Sequence, residues 1–167
     1  MSIAESVLPE FDHEMATTRR LLERVPANLD FKPHPKSFSL GDLAAHIANL
    51  PHWGVVTMQG TELDVNPPGG PPFVSPSYGS RSDNLATFDK NTAAARAALA
   101  AASDSDYLVN WSLKNGGATV FTMPRVVVIR SFVLNHLIHH RGQLSVYLRM
   151  NEVPVPSIYG PTADEGM

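Results

Sequence analysis

Leu8, Phe11, Met15, Thr18, Leu22 and Val25 recur at alternating spacings of three and four, the period of a helix with one buried face. The pattern predicts a first helix over residues 3–25, ended by Pro26. Pro33, His34 and Pro35 keep the next connection extended until Ser39, which with Asp42 makes a capping-box-like start for a second helix over 39–60. Its stripe of Leu40, Leu43, Ile47, Leu50 and Trp53 also contains His46, and Pro51 predicts a kink. Residues 61–81 hold five prolines and three glycines, a loop of polyproline character. Antiparallel helices need connections of only about 2 to 8 residues, whereas an extended segment at ~3.1 Å per residue spans a whole bundle. Helices two and three are therefore expected to be parallel.

Ser82 or Asp83 is expected to cap a third helix over 83–103, with Leu85, Phe88, Ala95, Leu99 and Ala102 on a thin face among many alanines. Between 107 and 122 the period changes to two, and Asn115-Gly116 supplies a hairpin turn. Thr122, with Pro124 at the first helical position, opens a last helix over 124–150, unbroken for about 40 Å. The tail, 151–167, reads as a surface wrap. The expected fold is an all-α four-helix bundle with a small hairpin before helix four, in a single domain, 1–167.

Composition narrows the function. Hydrophobic residues make up 43% and charged residues 17%, so the chain folds rather than staying disordered. Thirteen scattered bases against sixteen acids give a net charge of −3, a poor surface for nucleic acid. There is no cysteine, which removes disulfides, thiolate metal sites and a cysteine nucleophile. The first residues lack a signal-peptide pattern and no apolar run is long enough for a membrane span, so the expected location is cytoplasmic, without membrane contact.

Three of seven histidines fall within His136-Leu137-Ile138-His139-His140. Residues four apart share a helix face, so His136 and His140 can aim at one ion from adjacent turns, and His46 is the natural third ligand from the second helix. Three neutral imidazoles leave a coordination position open. His139 can replace either partner by geometry, or stand behind them or in solvent. Asp42 either orients His46 or serves the cap; Asn135, Gln143 and Tyr147 either contact a substrate or belong to packing and polar faces. Arg141 and Arg149 read as anion anchors or as cations near a helix C-terminus. His13, His34 and His52 read as surface residues. There is no Gly-x-Ser-x-Gly elbow, phosphate loop, dinucleotide fingerprint or His-Glu-x-x-His.

Three stretches carry a family resemblance: Phe31-Lys32-Pro33-His34-Pro35-Lys36-Ser37 followed by Leu43-Ala44-Ala45-His46-Ile47; Asn135-His136-Leu137-Ile138-His139-His140-Arg141-Gly142-Gln143-Leu144; and Tyr159-Gly160-Pro161-Thr162-Ala163-Asp164-Glu165. Together they resemble the DinB (YfiT-like) family over nearly the whole chain. The resemblance implies a four-helix bundle in up-down-down-up order, a divalent metal on His46, His136 and His140, and either thiol-dependent transferase or isomerase activity or none yet assigned. It also implies a homodimer, for which the alanine-rich face of helix three offers close packing.

The expected cofactor is Zn²⁺ or Ni²⁺, both suited to imidazole, held at about 2.0 to 2.1 Å for zinc. Two classes of function compete: a metalloenzyme acting on a small-molecule substrate, and a non-catalytic module in which the metal staples two helices. Within the first, three neutral ligands leave the ion's charge uncompensated, which favours an anionic thiol nucleophile supplied by a small-molecule cofactor. Hydrolysis by activated water is the alternative. It needs a general base, and Asp42, Glu14, Asp164 and Glu165 could reach the histidines only through folding.

Overall fold

Helix α1 (Ile3–Leu22) is opened by a full capping box, in which Ser2 and Glu5 satisfy each other's backbone N–H groups. It ends before the expected limit at 25, yet Val25 is still buried, so the apolar period outlasts the helix itself. Helix α2 (Leu40–Gln59) begins as expected, with Ser39 Oγ accepting from the Asp42 N–H at 3.1 Å. Leu40, Leu43, Ile47 and Leu50 on its stripe are fully buried, each such side chain contributing about 1.5–3 kcal/mol. The computed structural model describes residues 1–166.

The crossover after α2 is not all loop. Glu62–Asp64 forms strand β1, which lies parallel to β2 (Asn110–Asn115), and β2 pairs antiparallel with β3 (Ala118–Pro124). The protein is mostly helical with a three-stranded sheet, so the all-α expectation is too narrow. Gly116 and Gly117 turn the hairpin with φ of +63° and +80°, a region glycine enters without a Cβ clash. The Asp64 carboxylate accepts from both of their N–H groups, at 3.1 and 2.7 Å, fastening the crossover to the turn.

Helix α3 (Arg81–Ala101) starts earlier than expected because Ser80, and neither Ser82 nor Asp83, is the cap: its Oγ accepts from the Asp83 N–H at 3.1 Å. Asn84 donates to the Ala44 carbonyl and Asn91 to that of Ala48. Further along both helices α2 and α3 come close at Gly54, where an added Cβ would sit 3.3 Å from that of Ala95. A short helix, α4 (Asp104–Leu108), follows with its own Ser103–Asp106 capping box, and Tyr107 closes it onto the core through a 2.8 Å bond to the Leu99 carbonyl.

The last helix is not the unbroken rod expected from 124. Pro124 ends β3 and caps α5 (Arg125–Val128); a π-helical turn over Ile129–Leu134 then leads into α6 (Asn135–Met150). Proline lacks the N–H that an inner strand position would need but suits a strand end. The π turn inserts its wider register directly before the histidines, a placement common beside functional sites. Helix α1 packs on α3 and α6, and α2 packs on the same two. In the tail, Arg24 and Arg149 hold Glu165 and Asp164, and Ser157 and Val155 donate N–H groups to the same two carboxylates. Met167, the end of that expected wrap, lies outside the described residues. Among the described residues no helix is long and apolar enough to cross a membrane.

Candidate metal centre

Helix α2 brings His46, and α6 brings His136 and His140 from adjacent turns, to one point. Their facing atoms are all Nε2: His46 to His136 is 3.3 Å and His136 to His140 is 2.9 Å. The ring centroids lie 4.6 to 5.1 Å apart, and all three side chains are half-buried. This group could hold a metal ion.

The donor set fits a divalent cation. A tetrahedral ion bound at ~2.0–2.1 Å separates its nitrogens by about 3.3–3.4 Å, and an octahedral one by about 2.8–3.0 Å. Gln143 Oε1, an acceptor, lies 2.7 Å from His140 Nδ1, and a ring proton on Nδ1 would leave Nε2 its lone pair for an ion. Protons do not bind here easily. Burial, then the neighbouring His140 and His136, push the His46 pKa down to about 4. Burial likewise lowers His136 and His140, opposed at His136 by the Phe132 carbonyl one turn back and at His140 by Gln143. His136 Nδ1 is buried without a full hydrogen bond among the described residues, the Phe132 carbonyl acting on it at poorer geometry.

His139 is exposed and outside the group; its Nε2 lies 3.1 Å from Gln143 Nε2. Asp42 is exposed and serves the cap through its backbone, and no bond joins it to His46. Asn135 is exposed. Tyr147 is buried and donates to the Phe38 carbonyl at 3.2 Å, fixing the loop before α2. Neither arginine is an anion anchor. Arg141 is buried against Glu14 at 2.6 Å, with Tyr159 bonded to both Glu14 oxygens at 2.9 Å, and Arg149 pairs with Asp164. Those pairs, with Glu165 on Arg24, commit Glu14, Asp164 and Glu165 away from the histidines. His13, His34 and His52 are exposed, as expected.

Two aromatic walls escaped the sequence reading. Phe38 lies 5.7 Å from the His46 ring and 6.2 Å from that of His140, and Phe132 lies 5.6 Å from His136 and 5.3 Å from Trp53. Phe132 stands one helical turn before His136, a spacing that signals contact; Phe38, in a loop, carries no such signal. Phe38 is 48% exposed and stands between two openings. One, of 230 Å³, is bounded by Lys36, Phe38, His140, Gln143 and Tyr147; the other, of 210 Å³, by Phe38, Asp42, His46 and the crossover residues Ser75, Pro76 and Ser77.

Comparison with known proteins agrees with this architecture. Among curated proteins none matches the chain. A DinB-like protein from Bacillus cereus has a similar crystal structure, with a TM-score of 0.70 at 23% identity over 95% of this chain and 98% of that one. A DinB-like protein from Bacillus subtilis is similar at a TM-score of 0.66 and 17% identity, over 97% and 99% of the two chains. The model of the DinB superfamily matches residues 10–144, a stretch that includes all three histidines of the group, and the chain belongs to that superfamily.

Proposed function

We propose that the chain is a divalent-metal-dependent enzyme, a transferase that uses a small-molecule thiol, with His46, His136 and His140 as the metal ligands and Zn²⁺ or Ni²⁺ as the ion. The observation that carries the reading is three converging Nε2 atoms flanked by two openings, with no fourth side-chain ligand grouped with them among the described residues. Structural ions usually have four protein ligands, whereas catalytic sites keep a position free. When bound, such an ion supplies Lewis acidity and lowers the pKa of a nucleophile beside it. The chain's own part is to hold three neutral nitrogens ready, to shield one side of the point with Phe132 and Trp53, and to admit reactants on either side of Phe38.

A thiol fits better than water because the carboxylates a hydrolase would use as base are committed elsewhere: Glu14 to Arg141, Asp164 to Arg149, Glu165 to Arg24. The chain has no sulfhydryl of its own, so the thiol would arrive as a second substrate. Hydrolysis is the second reading, and one observation favours it: Asp42 borders the opening beside His46 and is a carboxylate available to accept a proton. A non-catalytic module stapled by its ion is the third.

We further read the chain as one cytoplasmic domain, 1–167, built as an up-down-down-up four-helix bundle that forms a homodimer. In support of the order, contacts between α2 and α3 advance together along both helices, from Asn84 at Ala44 to Ala95 at Gly54, as parallel helices require. Exposed Ala93, Ala94, Ala97 and Ala100 on α3 offer the close-packing face.

The test is a screen of metal-loaded protein with low-molecular-weight thiols and electrophilic acceptors, beside an ester and amide panel. Thiol-dependent turnover abolished by His136→Ala is expected. Turnover without thiol, abolished by the same substitution, would establish the hydrolase, and silence in both panels the binding module.

A further inference from the structure

We infer that Gln143 and His139 are positioning residues that hold His140 with its proton on Nδ1 and its Nε2 lone pair turned toward His46 and His136. The inference rests on the metal reading above only for its consequence; the arrangement itself is a property of the metal-free chain.

A neutral imidazole has one N–H, and the bond made by one ring nitrogen decides the role of the other. Gln143 Oε1, 2.7 Å from His140 Nδ1, can only accept, so it selects the form with the proton on Nδ1. That bond would be only half-determined if the amide could turn over, because an NH₂ group in the same place would select the opposite form. The other end of the amide carries the matching contact: Gln143 Nε2 lies 3.1 Å from His139 Nε2, and it donates there when that ring nitrogen bears its lone pair. Gln143 stands three positions after His140 and four after His139, so both rings reach it across one helical turn. In the inferred arrangement His139 accepts from the amide N–H, the amide oxygen accepts from His140 Nδ1, and His140 Nε2 keeps a lone pair 2.9 Å from His136 Nε2. This gives a role to the third histidine of the cluster, which is too exposed and too far round the helix to join the other two. A partner behind a ligating histidine is commonly worth 10–100-fold in metal affinity.

The opposite arrangement is chemically complete and therefore a real competitor. With the amide reversed, His140 would carry its proton on Nε2 and donate it to His136, closing the centre with a hydrogen bond.

Nitrogen NMR of ¹⁵N-histidine-labelled full chain without metal distinguishes the two, because protonated and unprotonated ring nitrogens resonate far apart. The expected result is an Nδ1-protonated His140 in the wild type and a mixture of forms in Gln143→Ala. Zn²⁺ titration should show affinity lowered 10–100-fold in Gln143→Ala, restored by Gln143→Glu, which keeps the acceptor, and lowered several-fold in His139→Ala. His139→Ala should add nothing in the Gln143→Ala background, since both act through one bond. An Nε2-protonated His140 in the metal-free wild type, or zinc affinity unchanged in Gln143→Ala, would overturn the inference. Failure of the wild type to take up zinc or nickel would instead overturn the metal reading, while the tautomer measurement still judges the pair.

Discussion

His46 and His136, ninety residues apart in the chain, place their Nε2 atoms 3.3 Å from each other. With both Nε2 atoms unprotonated the two lone pairs repel, and burial disfavours the added proton that would make either ring an imidazolium. The arrangement makes sense around a cation that draws both nitrogens together, and this defines what substitution should do.

His140→Ala should remove most bound metal, because two remaining imidazoles hold an ion weakly. His139→Ala should retain it, with the several-fold weakening that follows from losing the amide contact. Metal content after dialysis, measured by elemental analysis on protein made without a histidine tag, separates the two. The reverse pattern would make His139 the ligand.

Protons and metal compete for the same nitrogens, and the sign of the pH effect follows from His46. Its pKa is near 4 in the folded chain against an ordinary value of 6.5. Between those values the unfolded chain binds the proton and the folded chain does not, so stability rises with pH across that window. Above pH 6.5 the contribution is fully present, and it is lost as pH falls toward 4. The downward shifts of His136 and His140 act in the same direction. Urea unfolding of the metal-free chain should therefore show a midpoint that falls from pH 7 to pH 4, and His46→Asn should flatten that slope. Metal affinity should fall over the same range.

Much of this centre was legible beforehand because it rests on local periodicity. The four-residue spacing of His136 and His140, and a histidine inside the stripe from Leu43 to Leu50, follow from helical geometry alone. The features that were not legible depend on distant partners. Glu62-Leu63-Asp64 becomes a strand only because β2 offers it an edge fifty residues later, and tertiary pairing of this kind overrides weak local propensity. Three serine or aspartate positions, Ser80, Ser82 and Asp83, compete for one helix start, and the backbone chooses Ser80. The π turn before His136 has no composition that marks it. Arg141 reads from the sequence as an anion anchor or a cation near a helix C-terminus because its partner, Glu14, lies on the first helix.

Phe38 should govern access and not metal binding. Its ring is half-exposed and touches no metal-facing nitrogen by hydrogen bond, yet it separates the opening at His140 from that at His46. Phe38→Ala should merge the two at a cost of about 1–2 kcal/mol, well under that of a buried phenylalanine, and leave metal content unchanged. For an enzyme with two substrates the expected kinetic signature is a raised KM for at least one of them. Unchanged KM values for both, at intact metal content, would remove Phe38 from substrate binding.

The Arg141–Glu14–Tyr159 cluster ties three separate segments of the chain together beside the histidine group. Arg141 is 1% exposed and Glu14 5%, their Nη1 and Oε2 atoms are 2.6 Å apart, and Tyr159 from the tail donates to both carboxylate oxygens. Arg141 also donates at 3.3 Å to the Thr18 hydroxyl and to the Glu14 carbonyl. Taking one charge away leaves the other buried and unpaired, a loss that usually costs 3–5 kcal/mol. Arg141→Met and Glu14→Gln are each expected to destabilise by about that much in urea unfolding. The double substitution should destabilise by less than their sum, because no unpaired charge is left behind. Tyr159→Phe removes only a hydroxyl and should cost about 1–2 kcal/mol. Since Arg141 directly follows His140 on α6, loss of its anchor should also loosen the ligand helix and lower zinc affinity. Tyr159→Phe, which leaves the ion pair in place, should not. If Arg141→Met changed neither stability nor affinity, the cluster would be a passive contact of the tail, and the metal centre would owe its rigidity to α2 and the π turn alone.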